Sequence, residues 1–192
     1  MPIWCFGWRA ADRSLPAATL LVTFRGTCNL RNAKTDLQVA RVVPGVTAGI
    51  PPDFGPGSKP RCLNKTGGGG VRIHSGFYEA YMELRKELLA TVDEFAQQIK
   101  RETKRDKIRL LVTGHSLGGA LAVLAATDFS LLDRSSRPRP YSGWVGCASF
   151  GAPKAGNARF AGLVEASLDD AIRVVQDGDA VCATPPDWWA YR

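Results

Sequence analysis

Apolar positions along this chain form several short continuous runs and one long periodic stretch. Ile3 to Trp8 and Ala18 to Phe24 are apolar runs, separated by the polar Ala10 to Ser14 and by Pro16. They predict two strands joined by a turn, the second continuous enough to be central in a sheet. Leu37 to Val43 predicts another strand, and Val71 to Ile73 a short one. After His74 and Ser75, the residues Phe77, Tyr81, Leu84, Leu88, Val92, Phe95 and Ile99 recur at spacings of three and four. That spacing lays one apolar stripe along a long helix. Ile108 to Thr113 is short and apolar, as expected of a strand buried on both faces. From Gly119, small and apolar residues continue at helical density to about Leu132. Trp144 to Phe150 reads as a strand, Asn157 to Ser167 as a helix, Ala171 to Val175 as a strand, and 176–186 as a loop. Residues 44–70 are rich in Pro and Gly, lack periodicity and predict a loop insertion. The alternation of strands and helices indicates an α/β fold with a mostly parallel sheet flanked by helices.

Composition narrows this picture without redirecting it. The chain has 192 residues, 45% of them hydrophobic and 22% charged, which suits one globular domain with a sizeable core. The longest apolar stretch, near Ala120 to Ala126, is too short to span a bilayer. The formal charge is +7. Much of it sits in Lys100, Arg101, Lys104, Arg105 and Lys107, and in Arg134, Arg137 and Arg139. These cations read either as a solvated helix end and loop or as attraction to an anionic interface such as a membrane surface. Nucleic acid is not an expected partner, because no aromatic residues interleave with the basic ones. The five cysteines are widely spaced with no CxxC pair, so no metal site is expected. Cys147, inside an apolar strand, reads as a core thiol. The odd cysteine count, and a first stretch without a signal-peptide pattern, leave the compartment open.

The chemistry gathers where strands end. In a parallel sheet, ligands bind beyond the carboxyl ends of the strands. Four segments leave such ends and should converge: Arg25 to Thr27, Gly114 to Ser116, Gly151 to Pro153 and Asp177 to Asp179. The second is the sharpest signal. Gly114, His115, Ser116, Leu117 and Gly118 join a predicted strand to a predicted helix, and a Ser between glycines on such a corner is a nucleophile elbow. The helix start leaves the Leu117 amide facing partial positive charge, which favours an oxyanion. The alternative reading is a glycine-rich turn with no chemistry. A Ser nucleophile also needs an acid and a base. On spacing alone, Asp177 and Asp179 are equally good acids.

Five segments, in order, resemble one family. They are Leu21 to Thr27 followed by Thr35 to Leu37; Ile73 to Tyr81; Thr113 to Leu121; Ser149 to Asn157 with Phe160 and Ala161; and Arg173 to Val175 followed by Asp179 to Val181 and Pro185-Pro186. Together they resemble the class 3 (fungal-type) lipases of the α/β-hydrolase superfamily. The resemblance implies a serine hydrolase of lipid acyl esters, with Ser116 as nucleophile and Asp179, rather than Asp177, as acid. It places oxyanion donors at Thr27 and Leu117, and a lid or its hinge over 28–36. It brings no cofactor. Its implied partner is a lipid or ester substrate met at a membrane or lipid-droplet surface, the substrates being acylglycerols, phospholipids or galactolipids.

The sequence departs from the family pattern at Cys182, where Pro is usual, and at Ala33, where a lid aromatic is common. The larger departure is the base. His74 and His115 are the two histidines in the chain, and neither follows Asp179. A packing or hydrogen-bonding role is the expectation for both. The resemblance therefore implies a partial domain over 1–192, with the missing strand, helix and His beyond Arg192, and poor activity in the chain as given. A non-catalytic, lipase-like interaction module is the alternative.

Overall fold

Five strands form one sheet in the order β1-β2-β3-β4-β5, which is also their order in the chain. They are β1 (Ile3–Trp8), β2 (Ala18–Phe24), β3 (Ile108–His115), β4 (Val145–Phe150) and β5 (Asp170–Val174). The computed structural model describes residues 3–8, 18–26, 71–133, 141 and 143–184. Thr27, the expected strand at Leu37 to Val43, the expected loop over 44–70 and the expected lid segment lie outside the described residues. β1 runs antiparallel to β2, with Ile3 opposite Phe24, as the predicted two-strand turn requires. The remaining pairs, β2–β3, β3–β4 and β4–β5, are all parallel. Val71 to Ile73 does not form a strand; Ile73 makes a single bridge to Gly156.

Among the described residues, three helices connect the parallel strands: α1 (Ser75–Thr103), α2 (Leu117–Asp133) and α3 (Ala158–Ser167). The apolar stripe of α1 buries Phe77, Tyr81, Leu88, Val92, Ala96 and Ile99, whereas Leu84 and Phe95 are half-buried. The helix ends where Lys104 turns left-handed, with its N–H donating to Lys100 O. Lys100 and Arg101 in the last turn face the negative end of the helix dipole. α3 begins at Asn157, whose side chain accepts the amide of Phe160 at 3.0 Å.

The sheet face bearing Leu20, Val22, Leu110 and Val112 shares one core with α1 and α2. The expectation that β3 is buried on both faces is corrected here. Ile108, Leu110, Val112 and Gly114 are buried, but Arg109 and His115 are exposed and Leu111 half-buried. Arg109 instead lies over the Trp144 ring, 3.8 Å from its centroid. β5 is exposed along its length, including Ile172, with Val175 just beyond it.

A buried polar link joins α1 to α2. Asp128, fully buried, accepts from Tyr81 Oη at 2.6 Å and from Arg85 Nε at 2.7 Å. Arg85 Nη2 reaches the other carboxylate oxygen at 3.2 Å. Burial and then the Asp128 charge push the Tyr81 ionisation well up, so this hydroxyl remains a donor. Cys147 is buried as expected, and burial pushes its thiol up to about 12.

Candidate active site

Ser116 stands between the last residue of β3 and the first of α2, with φ at +55°. A left-handed backbone at a non-glycine residue is strained, and it persists only where neighbours over-determine it. Here they do. The Ser116 N–H donates to Phe150 O at 2.9 Å, and its carbonyl accepts the Gly119 amide at 2.9 Å. The first turn of a helix leaves amides without intrahelical acceptors, and Leu117 holds the first of these positions. The corner also requires small residues. A Cβ on Gly118 would meet Phe24 O and lie 2.9 Å from Arg25 C, so β2 ends directly against the start of α2. A Cβ on Gly26 would lie 2.7 Å from His115 O and 3.6 Å from Ser116 Cβ. The residue before Thr27 is therefore a wall of the Ser116 site.

The other expected segments meet here as well. A Cβ on Gly151, the residue after β4, would lie 3.1 Å from His115 Nε2 and 3.6 Å from Asp179 Oδ2. The His115 ring and the Asp179 carboxylate thus flank the same glycine. Asp179 is half-buried, its Oδ1 accepting from Val181 N at 2.9 Å and its Oδ2 from the Cys182 thiol at 3.4 Å. Asp177 is exposed and has no hydrogen bond among the described residues. Of the four strand ends expected to converge, those at Gly26, Ser116, Gly151 and Asp179 do. Thr27 itself is outside the described residues.

Neither histidine hydrogen-bonds the Ser116 hydroxyl among the described residues. His74 is buried and stacked on Phe77 with ring centroids 4.3 Å apart, and neither of its ring nitrogens has a partner among the described residues. Burial lowers its pKa from 6.5. The unfolded chain consequently takes up this proton at a higher pH than the folded one. The folded state keeps its full stability above the ordinary His range and loses some as pH falls through it. The thermal midpoint should drop between about pH 7.5 and about pH 5.5, and drop less in His74→Leu. Equal slopes in the two proteins would count against this.

A cavity of about 610 Å³ lies between α3 and β4–β5, lined by Cys147, Ser149, Phe160, Val164 and Ile172 among others. None of Ser116, Leu117 and Asp179 lines it, so it is separate from the corner. No cluster of three or more metal-ligating side chains occurs among the described residues. No helix among them is long and apolar enough to cross a membrane. Two contributors escaped the sequence reading. Gly151 was seen as a strand exit and not as the contact between His115 and Asp179. Arg173 reaches Ala152 O at 2.9 Å and Cys182 O at 3.0 Å, contacts that its place at the head of the segment Arg173 to Val175 does not reveal.

Comparison with known proteins bears on the family of the chain. The family described as Lipase (class 3) matches residues 21–188. The chain is 30% identical over 169 residues to a lipase of Rhizomucor miehei, covering 88% of this chain and 38% of that protein. It is 33% identical over 124 residues to a secreted mono- and diacylglycerol lipase of Malassezia globosa, covering 64% of this chain and 36% of the other. Among solved structures, the native Rhizomucor miehei lipase propeptide complex superposes with a TM-score of 0.61 at 27% identity. That match covers 98% of this chain and 53% of the other. The chain spans about two-fifths of the length of these curated relatives and about half that of the solved structure.

Proposed function

Because the chain belongs to the class 3 lipase family, we propose that it carries the nucleophile side of a serine-dependent hydrolase of lipid acyl esters. The observation that carries this reading is the left-handed Ser116 at a strand-to-helix corner, walled by Gly26 and Gly151, with Asp179 against that same Gly151. In the proposed chemistry, Ser116 Oγ attacks the ester carbonyl carbon while a general base takes its proton. The carbonyl oxygen becomes an oxyanion held by the Leu117 amide and by Thr27. The alcohol leaves with the base's proton, and water then releases the acyl group by the same route. Asp179 is the acid that orients and steadies the base. The name of the Malassezia relative, a mono- and diacylglycerol lipase, supports acylglycerols as the substrate class. The proposed unit is a single lipase-like domain.

The base is what the chain as given does not supply. His74 is packed on Phe77, and His115 lies against Gly151 without bonding the Ser116 hydroxyl. That observation favours a second reading, a lipase-like interaction module that keeps the elbow without turnover. A fluorophosphonate probe separates the two, because it reports an activated Ser without requiring deacylation. In this chain fused to a base-bearing segment of a class 3 lipase, labelling lost in Ser116→Ala and kept in Ser149→Ala is the expected result for the hydrolase. The same fusion unlabelled, yet binding acylglycerol vesicles, would favour the module.

A further inference from the structure

The turn that bears Asp179 is tied down by two groups that have no part in the acyl transfer itself. Arg173, in β5, donates from Nη2 to Ala152 O at 2.9 Å and to Cys182 O at 3.0 Å. Ala152 follows β4 and packs on the first turn of α2; a Cβ on Gly119 would lie 2.7 Å from its own Cβ. Cys182 closes the Asp179 turn. One guanidinium thus connects the neighbour of the Ser116 corner to the turn carrying the carboxylate. A second tie runs in parallel, from the Lys154 amide to Thr184 O at 2.7 Å. Within the turn, each carboxylate oxygen has its own donor, Val181 N for Oδ1 and the Cys182 thiol for Oδ2.

We propose that Arg173 and Cys182 are positioning residues for Asp179, Arg173 setting the distance of the turn from the Ser116 corner and the Cys182 thiol setting the rotation of the carboxylate. The inference rests on the reading of Asp179 as the acid. A thiol suits the second task because S–H is a weak donor. It holds Oδ2 in place and gives way when a stronger N–H donor arrives. Burial, then the hydrogen bond to Asp179 and its charge, raise the Cys182 pKa and keep the thiol in its donating form.

The test reads the thiol and needs no hydrolysis. Iodoacetamide labelling of Cys182 is followed by peptide mass spectrometry in the intact 192-residue chain. Cys147, buried with its pKa pushed up to about 12, is the slow internal reference. Asp179→Asn should speed Cys182 labelling by at least about threefold, because the thiolate no longer forms beside a carboxylate. Cys147 should be unchanged. In Arg173→Gln the same Asp179→Asn step should shrink, since the turn no longer holds thiol and carboxylate together. A step below about threefold in the parent, or one undiminished in Arg173→Gln, overturns the proposal. The catalytic reading of Asp179 fails separately, if Asp179→Asn leaves fluorophosphonate labelling of Ser116 unchanged in a base-containing relative of this chain.

Discussion

Purified as 192 residues, this protein should turn over a soluble ester such as 4-nitrophenyl butyrate about a millionfold more slowly than a complete class 3 lipase. Loss of the base from a Ser-based triad removes about 10⁶ in turnover, roughly 8 kcal/mol of transition-state stabilisation. What survives is the contribution of the oxyanion donors and of substrate binding. The structural ground is specific. The two imidazoles in the chain are His74, stacked on Phe77, and His115, whose ring lies against Gly151. The residual rate should be further reduced in Leu117→Pro, which removes the amide proposed to hold the oxyanion. Turnover within tenfold of a complete relative, under the same conditions, would show that His115 or another group serves as base.

The largest effect on stability is expected at Asp128. Asp128→Ala removes the buried carboxylate that accepts from the Tyr81 hydroxyl and the Arg85 guanidinium between α1 and α2. Removing one partner of a buried ion pair costs about 3–5 kcal/mol, well above the ~1 kcal/mol of an exposed pair. The side chains here are 0% exposed for Asp128 and 16% for Arg85, so the buried figure applies. For a chain of this size that corresponds to a thermal midpoint lower by roughly 6–20 °C. Urea denaturation followed by circular dichroism gives the number directly, and a loss under about 1 kcal/mol would contradict it. Replacing the three groups together, with Tyr81→Phe, Arg85→Met and Asp128→Leu, should recover most of the loss, because the buried polar link is then removed as a unit.

How much of this was legible beforehand depends on whether the determining contacts are local. β1, β2, β3 and β4 follow the apolar runs closely, because a run of that length between turn residues has few other places to go. The stripe on α1 is also readable, apart from half-buried Leu84 and the exchange of half-buried Phe95 for buried Ala96. The Ser116 corner was visible in five consecutive residues, since the small residues that allow it are its chain neighbours. Burial of β3 on both faces was misjudged, because an apolar run does not say on which side the helices will gather. The choice between Asp177 and Asp179 came from resemblance. Its geometric counterpart, a carboxylate held by Val181 and Cys182 against Gly151, spans residues that no spacing rule connects. The Arg173 link to Ala152 was likewise out of reach, as it depends on the register of β4 with β5.

The order of the sheet also bears on how the protein is made. β3, α2 and β4 are consecutive in the chain and can pair soon after they leave the ribosome. The β1–β2 pair is synthesised before β3, and this parallel partner of β2 follows about eighty residues later. Until β3 arrives, the edge of Ala18–Phe24 lacks its parallel partner strand, and an unpaired edge is open to chaperones or to other nascent chains. Gly26, at the end of that hairpin, reaches its place beside Ser116 only when β2 docks. The pocket around the nucleophile is thus walled by a glycine made about ninety residues ahead of Ser116.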